Sequence, residues 1–189
     1  MFVAGSSDLA PTPTRRRDGL RVLGIDPGLT RCGYAVIDKG SGPRPAARSL
    51  GVIRTPPGDE LPSRLASLRR EIVALLAEFS PDVVAVERVF FQVNVRTAMS
   101  VGQASGLALC EASDAGCLIA QYSPNQIKDA VTGSGSADKA QVQRMVQIRL
   151  GLDRPPSPAD AADAAAVALC HLAMAPFGPS HRPAGGSAS

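Results

Sequence analysis

Residues 21–38, RVLGIDPGLTRCGYAVID, decide the architecture. An apolar run at 22–25 ends on an acid, Asp26; Pro27-Gly28 then turns the chain, and a second apolar run follows at 33–37. Alternation puts Val22, Gly24 and Asp26 on one face of the first strand and Leu23 and Ile25 on the other. An ionised Asp at the end of so apolar a strand is unfavourable unless a cation or hydrogen-bond donors face it. The question for the rest of the chain is what it brings to Asp26.

Downstream, a Gly/Pro-rich turn at 40–45 leads to a third strand near 49–54, and three strands joined by short turns form an antiparallel meander. Leu61, Leu65, Leu68, Ile72, Leu75, Leu76 and Phe79 then recur at helical spacing until Ser80-Pro81 stops the helix. Residues 82–87, DVVAVE, have the continuous apolar run of a strand buried on both faces, and they too end on an acid, Glu87. Phe90, Phe91 and Gln92 connect to a helix over about 95–115, where the small residues Ala98, Gly102 and Gly106 imply close packing against the sheet or a second subunit. A fifth strand is expected at 117–122, a short helix at 124–131, a flexible segment at 133–136 and a helix over about 137–150. The last helix, over about 157–175, is mostly alanine. This order gives a mixed α/β sheet with helices on its faces. Residues 1–20, rich in Ser, Pro, Thr and Arg, read as a flexible arm, and 176–189 as a tail without order.

A chain of 189 residues with 44% hydrophobic and 20% charged residues is long enough for one ordinary domain with a real core. Its formal charge of +3 is too small to require a polyanionic partner unless that charge is unevenly spread. No apolar run approaches the ~18 residues of a membrane span. The basic cluster Arg15-Arg16-Arg17 follows the few apolar residues of the N-terminus instead of preceding them, the reverse of a secretory signal, so a cytoplasmic location is expected. Cys32, Cys110, Cys117 and Cys170 lack metal-site spacing, and His171 and His181 do not complete one; small buried thiols are the expectation.

Two segments end in acids that can reach Asp26. If the strands ending in Asp26 and Glu87 are parallel neighbours, both carboxylates emerge at the carboxyl end, where open α/β sheets bind ligands; the alternative is that Glu87 pairs with a base such as Arg88 or faces solvent. Asp160 and Asp163 lie three apart on one helix face, and Asp160 also suits a capping box with Ser157 as N-cap. The alanines around them, from Ala159 to Ala166, have no bulk to hold that helix off the sheet. Four converging carboxylates repel one another; two unit charges ~4 Å apart interact by ~4 kcal/mol at an effective dielectric of ~20. Protonation or divalent cations relieve this, and an oxygen-only set without His or Cys suits Mg2+ or Mn2+. A pair of such ions serves phosphodiester displacement.

LGIDPGLTRCGYAVI, VVAVERVFFQVN, GSGSADKAQVQRMV and PADAADAAAVALCH, in this order and at these separations, resemble the RuvC family of Holliday-junction resolvases over about residues 21–175. The first motif alone is weak, since sugar-kinase and actin-like ATPases share it; all four together are specific. The resemblance implies an RNase H-like nuclease domain over 21–175, with a mixed five-stranded sheet of three antiparallel strands then two parallel ones. It further implies a homodimer that binds four-way junction DNA, works with a branch-migration complex, and makes paired symmetric nicks leaving 5′-phosphate and 3′-hydroxyl ends. The family's catalytic and metal-binding acids map onto Asp26, Glu87, Asp160 and Asp163, holding two Mg2+ or Mn2+ ions. Its DNA-contacting residues map onto Phe90, as a base-stacking aromatic, and onto Lys128 and Lys139 near the scissile phosphate. GSGSADK is not a P-loop, because GxxxxGK[ST] is absent. An ATPase of the actin-like type would need a second acid-glycine phosphate motif and usually twice this length. A non-catalytic junction-binding module would gain nothing from four clustered carboxylates.

Overall fold

The computed structural model describes residues 19–88 and 95–174. Strand β1 (Leu20–Asp26) pairs antiparallel with β2 (Arg31–Lys39), setting Asp26 opposite Gly33. β2 pairs antiparallel with β3 (Ala46–Arg54). On its other edge β1 takes β4 (Val83–Glu87) in parallel, Ile25 beside Val86, and β5 (Leu118–Tyr122) adds in parallel outside β4. The order β3-β2-β1-β4-β5 is the mixed five-stranded, RNase H-like sheet expected from the sequence. β2 and β3 run several residues beyond their apolar cores, because backbone pairing rather than hydropathy sets a strand's ends.

Alternation divides the sheet's side chains between two cores. Leu23, Ile25, Val36, Val84 and Val86 pack on α1 (Leu61–Phe79) and α2 (Val95–Asp114). Val22, Ala35, Ile37, Val83 and Ala85 pack on α3 (Pro124–Thr132), α4 (Lys139–Leu150) and α5 (Ala159–Met174). Complete burial of each such Val, Leu or Ile side chain contributes about 1.5–3 kcal/mol, so both helical layers are anchored to one shared sheet. α1 ends where Ser80 turns left-handed (φ 44°) and returns its N–H to the Leu76 carbonyl.

On α2 the alanines buried against the sheet are Ala104, Ala108 and Ala112, whereas a Cβ added at Gly102 or Gly106 would meet nothing within 4 Å, so of the two alternatives the sheet is not what packs on these glycines. Two expectations need correction. Residues 133–136, expected to be flexible, form a hydrogen-bonded turn in which Thr132 Oγ1 donates to the Ser134 carbonyl at 3.0 Å and the Ser134 and Ser136 hydroxyls meet at 2.9 Å. Finally, α5 starts at Ala159, and its first turn bonds the Ala161 N–H to the Pro158 carbonyl, so Ser157 lies outside the helix and does not cap it.

All four cysteines are free, and Cys110 is exposed instead of buried. His171 sits against the Tyr122 hydroxyl at 2.8 Å rather than in any ligand cluster. No helix among the described residues is long and apolar enough to cross a membrane.

Candidate active site

Glycine and alanine bring α5 down onto the sheet. A Cβ at Gly33 would collide with the Asp160 carbonyl, and one at Gly24 with the backbone of Ala164 and Ala168. Gly24 and Asp26 lie on the same face of β1, and Gly33 is Asp26's partner across the β1–β2 ladder. The start of α5 is thereby pressed over the end of β1. On β4, Val83 and Ala85 face the same helical layer, so by the same alternation Glu87 emerges beside Asp26 on that side.

The electrostatics record this convergence. Asp26 is pushed up to about 8, first by burial and then by the negative charges of Glu87, Asp163 and Asp160, with Lys139 opposing. Glu87 is also raised, by burial and by Asp163; a hydrogen bond with Asp26 and the charges of Lys139 and Lys128 hold that rise back. Asp160 behaves oppositely. The Arg31 guanidinium donates through Nε (2.9 Å) and a terminal nitrogen to Asp160 Oδ2, and this bond holds the carboxyl below its usual range. Lys139 donates to Asp163 Oδ2 at 2.7 Å, which raises the lysine. In both pairs the cation bonds one carboxylate oxygen, Oδ2, and leaves Oδ1 unengaged.

All four acids singled out in the sequence therefore lie within electrostatic reach of one another, along with both lysines. Lys139 opens α4, but the positive helix end is already served there. Asp138 accepts from the Gln141 N–H at 2.8 Å, and Gln141 Oε1 accepts from the Asp138 N–H at 2.9 Å. Its contribution is thus its ammonium, not a vacant helix terminus. Phe90 lies outside the described residues. Arg31 was not singled out from the sequence, although alternation gives a signal: it shares a face of β2 with Gly33, the residue against α5.

The donor chemistry fits hard divalent cations, since it is all carboxylate oxygen and since burial and mutual repulsion force Asp26 to hold a proton when no cation is near. As they stand, no three of these acids, among the described residues, are grouped tightly enough to ligate one ion. Arg31 and Lys139 serve as counter-ions to Asp160 and Asp163 in this arrangement.

A family model described as crossover junction endodeoxyribonuclease RuvC matches residues 22–171. The chain is 55% identical over 153 residues to the crossover junction endodeoxyribonuclease RuvC of Salinispora arenicola, covering 81% of this chain and 87% of that protein. It is 52% identical to the protein of the same name from Streptomyces avermitilis, covering 83% and 89%. Among solved structures it is similar to Thermus thermophilus RuvC in complex with Holliday junction substrate, with a TM-score of 0.77 and 36% identity over 81% of this chain and 93% of that one. The yeast mitochondrial Holliday junction resolvase Ydc2, 16% identical with a TM-score of 0.62, supports the fold alone.

Proposed function

The chain belongs to the RuvC family of crossover junction endodeoxyribonucleases, and from that premise we propose that it resolves four-way DNA junctions at the carboxyl ends of β1 and β4. Each nick is a hydrolysis in which a water oxygen attacks phosphorus and the bond to the 3′ oxygen breaks. The products carry a 5′-phosphate and a 3′-hydroxyl. Asp26, Glu87, Asp160 and Asp163 would hold two divalent cations, Mg2+ or Mn2+, which when bound supply an activated water and neutralise charge on the leaving oxygen.

The chain's own residues do the rest. Asp26 feels the charges of the other three acids and would be among the residues holding the cations. Arg31 and Lys139 fix Asp160 and Asp163 by one oxygen each. Lys128 faces Glu87 with its charge, and in this reading it would meet the phosphate. Phe90 is the residue we assign to stacking on an unpaired base, worth ~1–3 kcal/mol. Symmetric nicks need two such sites, and a homodimer supplies them.

The observation that carries this reading is the close seat of α5 on β1 and β2, where a Cβ at Gly33 would collide with the Asp160 carbonyl, so that burial and three neighbouring acids push Asp26 up to about 8. The test is Asp26→Asn on a synthetic four-way junction with Mg2+ or Mn2+. Cleavage should fall on the order of 100-fold or more, beyond the ~10–100-fold expected from losing an outer partner of a metal ligand. Binding should persist or tighten, because one negative charge near phosphate is gone. Wild-type cutting by this variant would overturn the assignment.

A further inference from the structure

At the end of the sheet opposite the acids, the start of β1, the end of β2 and the start of β3 enclose a cavity of about 410 Å3. Its lining includes four cations, Arg21, Lys39, Arg44 and Arg48, against one anion, Asp38. That local excess equals the formal charge of the whole chain, +3. The uneven distribution that a polyanionic partner requires is therefore present, and it lies away from the acids.

Not every cation here is free. Arg21 is committed, with Nε and a terminal nitrogen on the two Asp38 oxygens at 2.6 and 2.8 Å and its other terminal nitrogen on the Phe79 carbonyl at 2.7 Å. Among the described residues, Arg48 is held by Nε alone on Asp38 Oδ2 (2.7 Å), its two terminal nitrogens have no partner, and its side chain is 56% exposed. Among the same residues Lys39 reaches only the Gly42 carbonyl, at 3.4 Å. Arg44 makes no hydrogen bond or ion pair among the described residues. Asp38 thus orients two arginines, Arg21 and Arg48, without neutralising the group. Part of the wall is bare backbone: Gly19, Gly40 and Gly42 line it, and at Gly19 (φ +133°) a Cβ would meet the Lys39 carbonyl and, at 2.9 Å, Gly40 Cα. Guanidinium forks with unpaired N–H groups match phosphate oxygens, and the volume lies within the ~300–1,000 Å3 of ligand sites.

We propose that this cavity is a phosphate-binding site, in which Arg44, Arg48 and Lys39 take the oxygens of a phosphate group. Two sources share that chemistry, the backbone of a junction arm and a free phosphate. The first rests on the function proposed above and is geometrically reasonable. β1 spans ~20 Å from the cavity to Asp26. The twelve residues of α4 cover ~18 Å from Lys139, at the acids, to its C-cap Gly151, where an added Cβ would lie 3.5 Å from the Arg44 guanidinium. With one phosphate per ~3.4 Å of strand, a duplex arm leaving the acids reaches the cavity after about six steps.

The test compares Lys39→Gln/Arg44→Gln with Arg70→Glu, an equal change of charge on the exposed face of α1, where Arg70 bonds only Ser67 among the described residues. Junction affinity is measured without divalent metal across 50–200 mM salt, and backbone amide NMR shifts are followed as inorganic phosphate is added. If the cavity takes a junction arm, the double variant binds roughly five- to tenfold more weakly at 0.1 M salt and its log–log salt slope is shallower by about 1–2. If the cavity takes free phosphate, shifts at 39–44 saturate in the wild type and vanish in the double variant, with the junction slope unchanged. Unchanged slopes together with absent shifts overturn the proposal, as does an Arg70→Glu variant that reproduces the double variant's effect. Failure of the nuclease reading shows separately, as absent cleavage by the wild type, and leaves the phosphate titration still decisive.

Discussion

Asp26 holds its proton to about pH 8 because burial and three neighbouring carboxylates oppose its charge. Its folded pKa thus lies above the ordinary carboxylate value that the unfolded chain restores, so between about pH 4 and 8 the folded state binds more protons than the unfolded one. Stability of the metal-free protein must then fall as pH rises through that window. Asp26→Asn removes the titration. The variant expected to lose cleavage should therefore be the more stable protein at pH 8, by at least about 1 kcal/mol or ~2–4 °C in Tm, with the gap closing towards pH 4. Thermal unfolding in EDTA across pH measures this; a constant gap would mean that Asp26 is not the group strained by its surroundings. At this scale the sequence was informative about the acids and about Lys139, and silent about the other counter-ion, Arg31. Asp26 and Glu87 stand out because they end apolar strands. Arg31 reaches Asp160 across 129 positions, a pairing that only the packing of α5 on β2 creates.

α5 is where the candidate site and the fold depend on the same residues. Its alanines and the two glycines beneath it let backbone touch backbone, and that close approach carries Asp160 and Asp163 to the end of β1. Gly33→Ala should cost about 1–3 kcal/mol in urea unfolding, because the new methyl meets the Asp160 carbonyl, which cannot rotate away. Gly24→Ala should cost a similar amount by displacing Ala164 and Ala168 farther along the helix. The two should separate in cleavage, Gly33→Ala losing more because it moves the turn that bears Asp160; equal losses would show that global destabilisation explains both. The alanine run made this close seat readable from sequence, as the apolar strands did the sheet order. The beginning of α5 was not readable, since Ser157 has the chemistry of a cap but lies before the helix. Gly102 and Gly106 left the sheet and a second subunit as alternatives for a related reason: small residues permit close packing, but only the phase of α2 on the sheet decides which of them the sheet uses.

A single chain brings one such cluster of acids together among its described residues; on the function proposed above, paired nicks on two strands need two, and a second copy of the chain would supply the other. α2 and the sheet edge beside it have the right character. Met99 is 61% exposed, Gly102 and Gly106 stand open, and the outer strand β5 leaves Leu118 47% and Ile119 41% exposed. An unpaired sheet edge invites pairing unless it is covered, and methionine suits an adaptable apolar contact. A stable interface of ~800 Å2 per partner with Met99 near its centre should not tolerate a buried, unpaired carboxylate. Met99→Glu is therefore expected to sediment as a single chain where the wild type sediments as two, with its far-ultraviolet circular dichroism unchanged because the residue supports neither core. On a supercoiled plasmid bearing a cruciform, separated chains cannot coordinate their cuts, so nicked circles should replace the linear product. A Met99→Glu protein that stays dimeric and still linearises the plasmid would move the contact away from this part of α2, leaving the β5 edge as the next surface to charge.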